Sequence, residues 1–516
     1  MLNTELVPAT SNRVLRATAV RSETTVADAL VPAPAQVDNG DEARYADKSG
    51  TYTKGVLQSD IGVVDPAAYK KFKHALSTGA QADFNKIPLG GSRTLNGPEG
   101  GLAFYLDCLD ASQFVVPPAP KLDSEAYATE LIEMYWASLL RDVAFTDYAK
   151  NGTAADAAAE LSALPEYAGP PLDTTNKVTP DLLFRGPFVG ETEGPYISQF
   201  LLKPTTLGAL PIDQKYFTYP AHTDFVTNDD AFKKVQNGQT LEGDPASGTP
   251  RYLHNGRGLA AYTHNDVLYQ AYFIAYLVLN TIKCKPNPGN PYVGSKVENG
   301  FPTFGQPDIA ATLAAVANEA LKAVWYHKWF VHLRHRPESG GAIVELIKTG
   351  RGDTINGKVR PTVLESRAVK ASLNANNSYY LSQAFPEGSP THPAYPTGHG
   401  AVAGACITAL KFFFDGGFTI PEPVMPKADG TDLLPYAAPA GHGLKVNGEL
   451  NKLATNISFG HGIHAGIHWR SDTDSSIRLG EAVALSYLRD RARTYNEKFE
   501  ISLQMVDGKT TKISHH

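Results

Sequence analysis

The sequence predicts an all-α protein, a helical bundle with long ordered loops and little β-structure. Apolar residues recur at helical spacing in residues 124–142, 265–283 and 308–336, which predicts a helix in each stretch. Residues 150–260 are instead rich in Gly, Pro, Asn and Asp, a composition typical of ordered loops over a helical frame. No alternation of apolar and polar residues persists long enough to indicate a sheet.

Composition narrows the class of protein. The 516 residues are 42% hydrophobic and 19% charged, as in a globular protein with a sizeable core. The net charge of -6 gives no overall electrostatic reason to expect a nucleic-acid partner. Residues 267–282 are apolar but short for a bilayer span, so they predict a buried helix and no membrane association. Residues 1–20 lack the continuous apolar core of a secretory signal, which predicts a cytoplasmic protein.

Two regions differ in pattern. Residues 1–60 show no sustained periodicity and predict an arm or tail that serves an oligomer interface, whereas residues 61–516 predict a single large helical domain. Within this domain, one helix is expected from Asp308 to Pro337, a second in GHGAVAGACITALKFFF and a third from about Ser458 to residue 492. Each follows a loop, so polar side chains of residues 328–472 are expected to converge at one end of the bundle.

Histidines are concentrated in the same region. A histidine titrates near neutral pH and can bind metals or move protons, so a dense group is typical of a reactive site. Nine of the fifteen lie between residues 327 and 468, namely His327, His332, His335, His392, His399, His442, His461, His464 and His468.

The first motif is KWFVHLRHRPE. On a continuous helix, Lys328 and Arg336 would be separated by about 80° and two turns, so both cations could reach one pocket. A guanidinium can clamp two oxygens of an oxyanion, while the ammonium acts as a mobile point charge. The alternative is a basic helix end that stabilises its own C-terminal dipole.

The second motif is the loop THPAYPTGHG. Thr397 offers a hydroxyl group, Gly398 an accessible backbone N–H and His399 an imidazole at the start of a helix, where unpaired N–H groups attract anions. The alternative is a helix-entry turn with a capping threonine.

The third motif is HGIHAGIHWRSD. His461, His464, His468 and Asp472 are spaced by 3, 4 and 4 residues, which would place all four on one face of a continuous helix. Asp472 lies one turn after His468 and could fix its tautomer, a role for which Asp474 is less well placed. A divalent-metal site is an alternative interpretation of the histidine stripe.

Together the three motifs resemble the signature of the vanadium haloperoxidases and type 2 phosphatidic acid phosphatases. That signature is a Lys with a following Arg-Pro, then Pro-Ser-Gly-His, then an Arg followed by His and Asp. The KWFVH lead-in, the HPAYP run and the segment GPYISQFL are most similar to algal and cyanobacterial bromoperoxidases. The resemblance covers most of the chain from about residue 60.

The resemblance implies a vanadate cofactor, whose place phosphate can take, and assigns roles to the motif residues. His468 would be the apical ligand of vanadate and Asp472 would orient it. Lys328 and Arg336 would neutralise the vanadate oxygens. The remaining assignments are hydrogen bonds from Thr397 and Gly398, acid/base chemistry at His399, and a position near the halide for His392. Hydrogen peroxide would be activated and a halide, bromide first, oxidised to a hypohalous equivalent that halogenates small organic substrates. The family also implies a homo-oligomer.

Two positions depart from the family pattern. Thr397 stands where Ser is usual, which keeps the hydroxyl and adds a methyl group. Gly462 stands where an arginine is expected, six residues before His468, and His461 can take that place only with a one-residue shift. Arg470 lies on the other side of His468. The loss of a permanent cation predicts lower vanadate affinity, a different anion or a changed pH optimum.

Three alternatives use the same pocket or its residues. In a soluble acid phosphatase, His468 would form a phosphohistidine while His399 protonates the leaving group. A metal hydrolase or a non-catalytic anion-binding protein would retain the residues without peroxide chemistry. The resemblance to bromoperoxidases favours the haloperoxidase.

Overall fold

Helices dominate the computed structural model, which describes residues 12–516 except 171–174, 176, 244–247 and 355–358. The α-helices are α1 Arg13–Ala29, α2 Asp41–Arg44, α3 Pro66–Thr78, α4 Gln81–Phe84, α5 Glu125–Leu139, α6 Gly152–Ser162, α7 Asp229–Gln236, α8 Gly256–His264, α9 Gln270–Thr281, α10 Gln306–Tyr326, α11 Pro337–Lys348, α12 Pro361–Leu364, α13 Arg367–Asn376, α14 Gly398–Phe413, α15 Val446–Phe459 and α16 Arg470–Ala492. Short 3-10 turns occupy Pro98–Leu102, Ala111–Gln113, Phe145–Lys150, Pro180–Leu182, Gln199–Leu201 and Gly352–Thr354, and π-helical turns occupy His327–His332 and Gly460–His464.

The β-structure is limited. In the described part of the chain, the strands pair into two-stranded antiparallel hairpins. They are β1 Gln58–Asp60, β2 Val63–Val64, β3 Thr205–Leu207, β4 Leu210–Ile212, β5 Val424–Pro426, β6 Leu433–Pro435, β7 Phe499–Gln504 and β8 Thr510–His515. The all-α prediction is confirmed. The hairpin of β7 and β8 was not predicted from the sequence. In β7, the side chains of Phe499, Ile501 and Leu503 alternate inward along one face.

Two of the predicted helices form with small changes at their ends. The Ser124 side chain accepts a hydrogen bond from the N–H of Tyr127 and thereby caps α5, as its position before an apolar repeat suggested. The helix predicted for residues 265–283 begins later, at Gln270, because α8 ends at His264 and the chain forms a loop between them. That loop carries Asp266 toward the bundle interior.

The prediction of one helix from Asp308 to Pro337 is wrong. Helix α10 passes into the π turn at His327, and Leu333 then adopts a left-handed conformation with φ 43°. Arg336 is extended, and Pro337 starts α11 instead of ending a helix. Proline disfavours helical geometry in the residue before it but suits the first position of a new helix. Lys328 and Arg336 therefore lie on different elements.

The continuous helix predicted from Ser458 to residue 492 is also wrong. Helix α15 ends at Phe459 and the π turn follows, after which the chain turns at Gly466, where φ is +87°. Helix α16 starts only at Arg470. His468 therefore lies in a loop between two helices, and its four-residue spacing to Asp472 spans a helix start.

Helices α14 and α16 pack with their backbones in close approach. A Cβ atom added at Gly404 would lie 1.9 Å from the carbonyl oxygen of Ile477, and one added at Gly480 would lie 1.9 Å from that of Ala401. Any side chain at these glycines would separate the two helices. The start of α14 is also held against the first turn of α16, which follows the loop that carries His468, because the Thr397 N–H donates to the carbonyl of Asp472 at 3.1 Å.

The N-terminal region divides into two parts. Every residue of α1 is at least partly exposed, including Val14, Leu15 and Val26. Further along, Tyr52 and Val56 are fully buried in a core cluster with other apolar residues. Among the described residues, no helix is both long and apolar enough to cross a membrane.

Candidate active site

Arg336 connects the first and third motifs. Its guanidinium donates to Nε2 of His468 at 2.8 Å and to the carbonyl oxygens of His392 and Ile467, both at 2.9 Å. It also contacts Nδ1 of His392 at 2.9 Å. The side chain is 1% exposed. Although the single helix predicted from Asp308 to Pro337 does not form, Arg336 still reaches His468, as the proposed anion site requires.

Lys328 approaches the same place from the π turn. Its ammonium donates to the carbonyl oxygens of Pro393 at 2.7 Å and Ala394 at 2.9 Å, and the side chain is fully buried. Burial, together with the nearby charge of Arg336, holds the pKa of Lys328 well below its usual range. An anion bound here would favour the charged form of both cations.

His468 is held by a carboxylate and an arginine behind it. Nδ1 of His468 lies 2.9 Å from Oδ2 of Asp472, whose other oxygen pairs with Arg334 at 2.7 Å. Since Asp472 accepts at Nδ1 and Arg336 donates at Nε2, the hydrogen bonds assign the proton of the neutral ring to Nδ1. The lone pair of Nε2 therefore lies on the side of the site and accepts the hydrogen bond from Arg336. Asp474 makes no such contact, as the sequence analysis expected.

The N-terminus of α14 offers backbone N–H donors that are not capped by a side chain. Thr397 occupies the cap position, but its side chain makes no capping hydrogen bond. Its hydroxyl oxygen is buried and finds no partner among the described residues. The first intrahelical bond is donated by Ala401. The N–H groups of Gly398 and His399 precede this bond and are free to bind an anion.

His399 is paired with a residue that the sequence analysis missed. Its Nε2 lies 3.0 Å from Oδ1 and 3.2 Å from Oδ2 of Asp266, and both side chains are buried. Asp266 is 133 residues away in sequence and belongs to no recognisable motif. Only the packing of the α8–α9 loop brings it to this histidine.

The π turn at Gly460–His464 separates the histidines of the third motif. The ring of His461 stacks on His399 with centroids 3.8 Å apart and lies 5.7 Å from His468. His464 instead contacts the hydroxyl of Tyr196 through Nε2 at 3.0 Å, outside this group. The prediction of a single histidine face is therefore wrong for His464.

The π turn places the ring of His461 next to His399 and His468, on the side of the site where the family pattern would put an arginine near His468 only after a one-residue shift. Arg470 does not compensate for the missing cation, because its guanidinium pairs with Glu133 at 2.5 Å.

Burial keeps the three central histidines neutral. Desolvation, followed by the charges of Arg336 and Lys328, holds the pKa of His468 and of His392 well below the usual range. Desolvation and then the neighbouring His399 lower the pKa of His461. The pKa of Arg336 falls to about 10 because of burial, so it stays charged at neutral pH.

This arrangement fits a tetrahedral oxyanion. It combines two buried cations, an unpartnered hydroxyl, a helix N-terminus and one imidazole with a directed lone pair. Over the residues described, no group of three or more His, Cys, Asp or Glu side chains is arranged to hold a metal ion. The divalent-metal interpretation of the histidine stripe therefore gains no geometric support.

Comparison with known proteins agrees with this geometry. A vanadium-dependent bromoperoxidase of Ascophyllum nodosum is 30% identical to the chain over 502 residues, which cover 93% of the chain and 88% of the relative. The chain belongs to the vanadium-dependent bromoperoxidase family. Another bromoperoxidase of this family, from Corallina officinalis, is 31% identical over 95% of the chain and 96% of the relative.

A solved structure and a family model extend the relationship to the fold. The homohexameric second vanadate-dependent bromoperoxidase of Ascophyllum nodosum superimposes with a TM-score of 0.92 at 27% identity, covering 97% of this chain and 90% of the other. Residues 308–497 match the model of the VCPO second helical-bundle domain. The segment that matches this model contains all three motifs. The similarity to the two bromoperoxidases covers almost the whole chain.

Proposed function

We propose that the protein is a vanadate-dependent haloperoxidase that uses hydrogen peroxide to oxidise a halide, with bromide as the main substrate. The observation that carries the proposal is the convergence of Lys328, Arg336 and His468 beside the N-terminus of α14. This convergence occurs in a chain about 30% identical to bromoperoxidases over nearly its full length.

The roles proposed for the residues follow from their contacts. When bound, vanadate supplies a Lewis acid that activates peroxide toward halide. Nε2 of His468 would be its protein ligand, held in direction by Asp472. Lys328 and Arg336 would balance the negative charge of the oxygens. The hydroxyl of Thr397 would donate a hydrogen bond to the anion.

The remaining groups of the site would serve proton transfer and the anion shell. His399 would hold and release a proton at Nδ1, because its Nε2 is already paired with Asp266. The N–H of Gly398 and the ring of His461 would complete the anion shell. His392 would lie near the halide.

Substrates and assembly are proposed on the same basis. We propose that the hypohalous product halogenates small organic molecules. We also propose a homo-oligomer, supported by the homohexameric structural neighbour. Within residues 1–60, the exposed helix α1 is proposed as the arm, whereas Tyr52 and Val56 pack with the single domain of residues 61–516.

One experiment separates this function from phosphate chemistry. The apoprotein is incubated with orthovanadate, and bromide-dependent halogenation with hydrogen peroxide is assayed beside hydrolysis of a phosphomonoester. Halogenation that requires vanadate supports the proposal. Ester hydrolysis inhibited by vanadate, without halogenation, would instead establish a phosphatase.

The ligand role of His468 has its own test. The change His468→Ala is expected to abolish halogenation, while His254→Ala, at a half-buried histidine outside the site, keeps it. Full halogenating activity in the His468 variant contradicts the proposed ligand.

A further inference from the structure

We propose that His264 and Glu387, together with Tyr219, deliver protons from solvent to the buried pair His399 and Asp266. This inference rests on the proposed haloperoxidase function. In that reaction, hydrogen peroxide, a halide ion and one proton yield a hypohalous acid and water. The peroxide oxygen–oxygen bond breaks, the halide is oxidised, and the departing oxygen leaves as water with the added proton. Each turnover therefore consumes one proton.

The need for a delivery route follows from burial. The side chains of His399 and Asp266 are 8% and 4% exposed, and that of His468 is 1% exposed. Groups this deeply buried exchange protons with bulk water slowly unless titratable groups or waters connect them to the surface. A connecting group must reach solvent on one side and the site on the other.

Three polar side chains form a hydrogen-bonded chain beside the site. Nε2 of His264 lies 2.7 Å from Oε1 of Glu387, and Nδ1 of the same ring contacts the hydroxyl of Tyr219. Phe385 stacks on the imidazole with centroids 3.9 Å apart and planes 7° apart, which fixes the ring orientation. The side chains of His264 and Glu387 remain 20% and 15% exposed, so solvent reaches them.

The same chain of groups adjoins the oxyanion site. His264 ends α8, and Asp266 follows two residues later in the loop that binds His399. Helix α8 packs on the π turn, since a Cβ atom at Gly460 would lie 2.9 Å from Leu259. Tyr219 shares an apolar cluster with Ala465 and Ile467, which lie three residues and one residue before His468.

Charged side chains surround Glu387 in the proposed proton relay, which consists of Tyr219, His264 and Glu387. The ammonium of Lys54 donates to the backbone carbonyl of Glu387 at 2.8 Å and is neutralised by Glu338 at 2.6 Å. Burial acts to raise the pKa of Glu387, but the hydrogen bond and charge of His264, with a smaller contribution from Arg93, lower it below its ordinary value. The Glu387 carboxylate can therefore stabilise a positive charge on His264 while the ring carries a proton.

The test compares His264→Gln with His254→Gln, a half-buried histidine near the start of the same helix that contacts the backbone of Tyr252. In weak buffer, the turnover number of the vanadate-loaded His264 variant is expected to fall by about tenfold or more. Added imidazole is expected to restore most of it, because a small buffer can carry the proton that the side chain no longer carries. The control variant is expected to match the parent protein.

Titration of each apoprotein with orthovanadate by calorimetry is expected to give dissociation constants within about twofold of the parent protein, since the relay does not touch the anion. A turnover loss that imidazole leaves unchanged, or a turnover number equal to that of the control, overturns the relay. If His264→Gln fails to fold, Glu387→Gln carries the same expectations. Absence of halogenation in the parent protein would instead refute the haloperoxidase function.

Discussion

The hydroxyl group of Thr397 offers the simplest test of the anion site. It is buried and has no hydrogen-bond partner among the described residues, so it can donate a hydrogen bond to a bound anion. The change Thr397→Val keeps the shape and removes the donor, and vanadate affinity is expected to fall by about tenfold. Calorimetric titration of the apoprotein with orthovanadate measures this affinity. Thr408→Val in the same helix, whose hydroxyl donates to the Gly404 carbonyl, is the control and should leave the affinity unchanged.

Asp266 is expected to act through His399. The change Asp266→Asn removes the carboxylate that fixes the ring, so the turnover number is expected to fall by about 10- to 100-fold. Vanadate affinity should change much less, and steady-state kinetics with separate vanadate titration distinguish the two effects. Equal losses in both quantities would mean that Asp266 only maintains the shape of the site.

The stacked position of His461 predicts the effect of restoring a permanent cation. Burial and the neighbouring His399 keep this histidine neutral at pH 7, because its pKa is lowered. The change His461→Arg adds a charge that is independent of pH, and vanadate is expected to bind about tenfold more tightly at pH 7 and above. Titration at several pH values checks this. Weaker binding throughout would show that the stack on His399 matters more than the charge.

Local spacing was enough to find part of the site. Lys328, Thr397, His468 and Asp472 lie in short motifs whose residue types suit an oxyanion, and the structure brings them together. Asp266 could not be found in this way, because an isolated aspartate in a loop carries no signal until the fold is known.

At the scale of elements, the π turns explain both mistaken helices. Apolar residues continue through 329–331, and His461, His464 and His468 recur at helical spacing, so each stretch resembles part of an unbroken helix. A single inserted residue rotates everything that follows by about 100°. Neither the left-handed turn at Leu333 nor the one at Gly466 could be read from periodicity.

Helix α16 contains an acid whose burial makes stability depend on pH. Desolvation raises the pKa of Asp474 to about 7 from an ordinary value of 3.8. The folded protein therefore binds a proton that the unfolded chain has released, and this contribution to stability is lost as pH rises from about 4 to 7.

The change Asp474→Asn is expected to raise the free energy of unfolding at pH 8 by about 1–3 kcal/mol and to have little effect at pH 4. Denaturant unfolding at both values measures the difference. Asp156→Asn, at an exposed aspartate, is the control. A gain that is equal at both pH values would contradict the titration account.

At the scale of the molecule, the all-α class was predictable because apolar periodicity determines which helical faces are buried. The hairpin of β7 and β8 was missed because six residues of alternation near the end of a helical protein are a weak signal. Residues 41–56 resemble a polar arm in sequence, yet Tyr52 and Val56 are core residues.

Helix α1 is expected to serve assembly. Its apolar side chains are exposed in the single chain, and a helix of 17 residues gains little stability without packing. Removal of residues 1–30 is expected to lower the molecular mass in solution, measured by light scattering, while the thermal midpoint of the remaining fold changes by only a few degrees. An unchanged mass would place the subunit contacts elsewhere.

The hydrogen bonds of Lys328 and Arg336 have a further consequence. Both cations donate to carbonyl oxygens of residues 392–394 and 467, which belong to the two loops on either side of the pocket. They therefore act as cross-links between segments far apart in the chain. Replacing either cation by a neutral residue would remove hydrogen bonds that hold the two loops together as well as a positive charge. The loss of turnover in such a variant would therefore overstate the electrostatic contribution of that charge to catalysis.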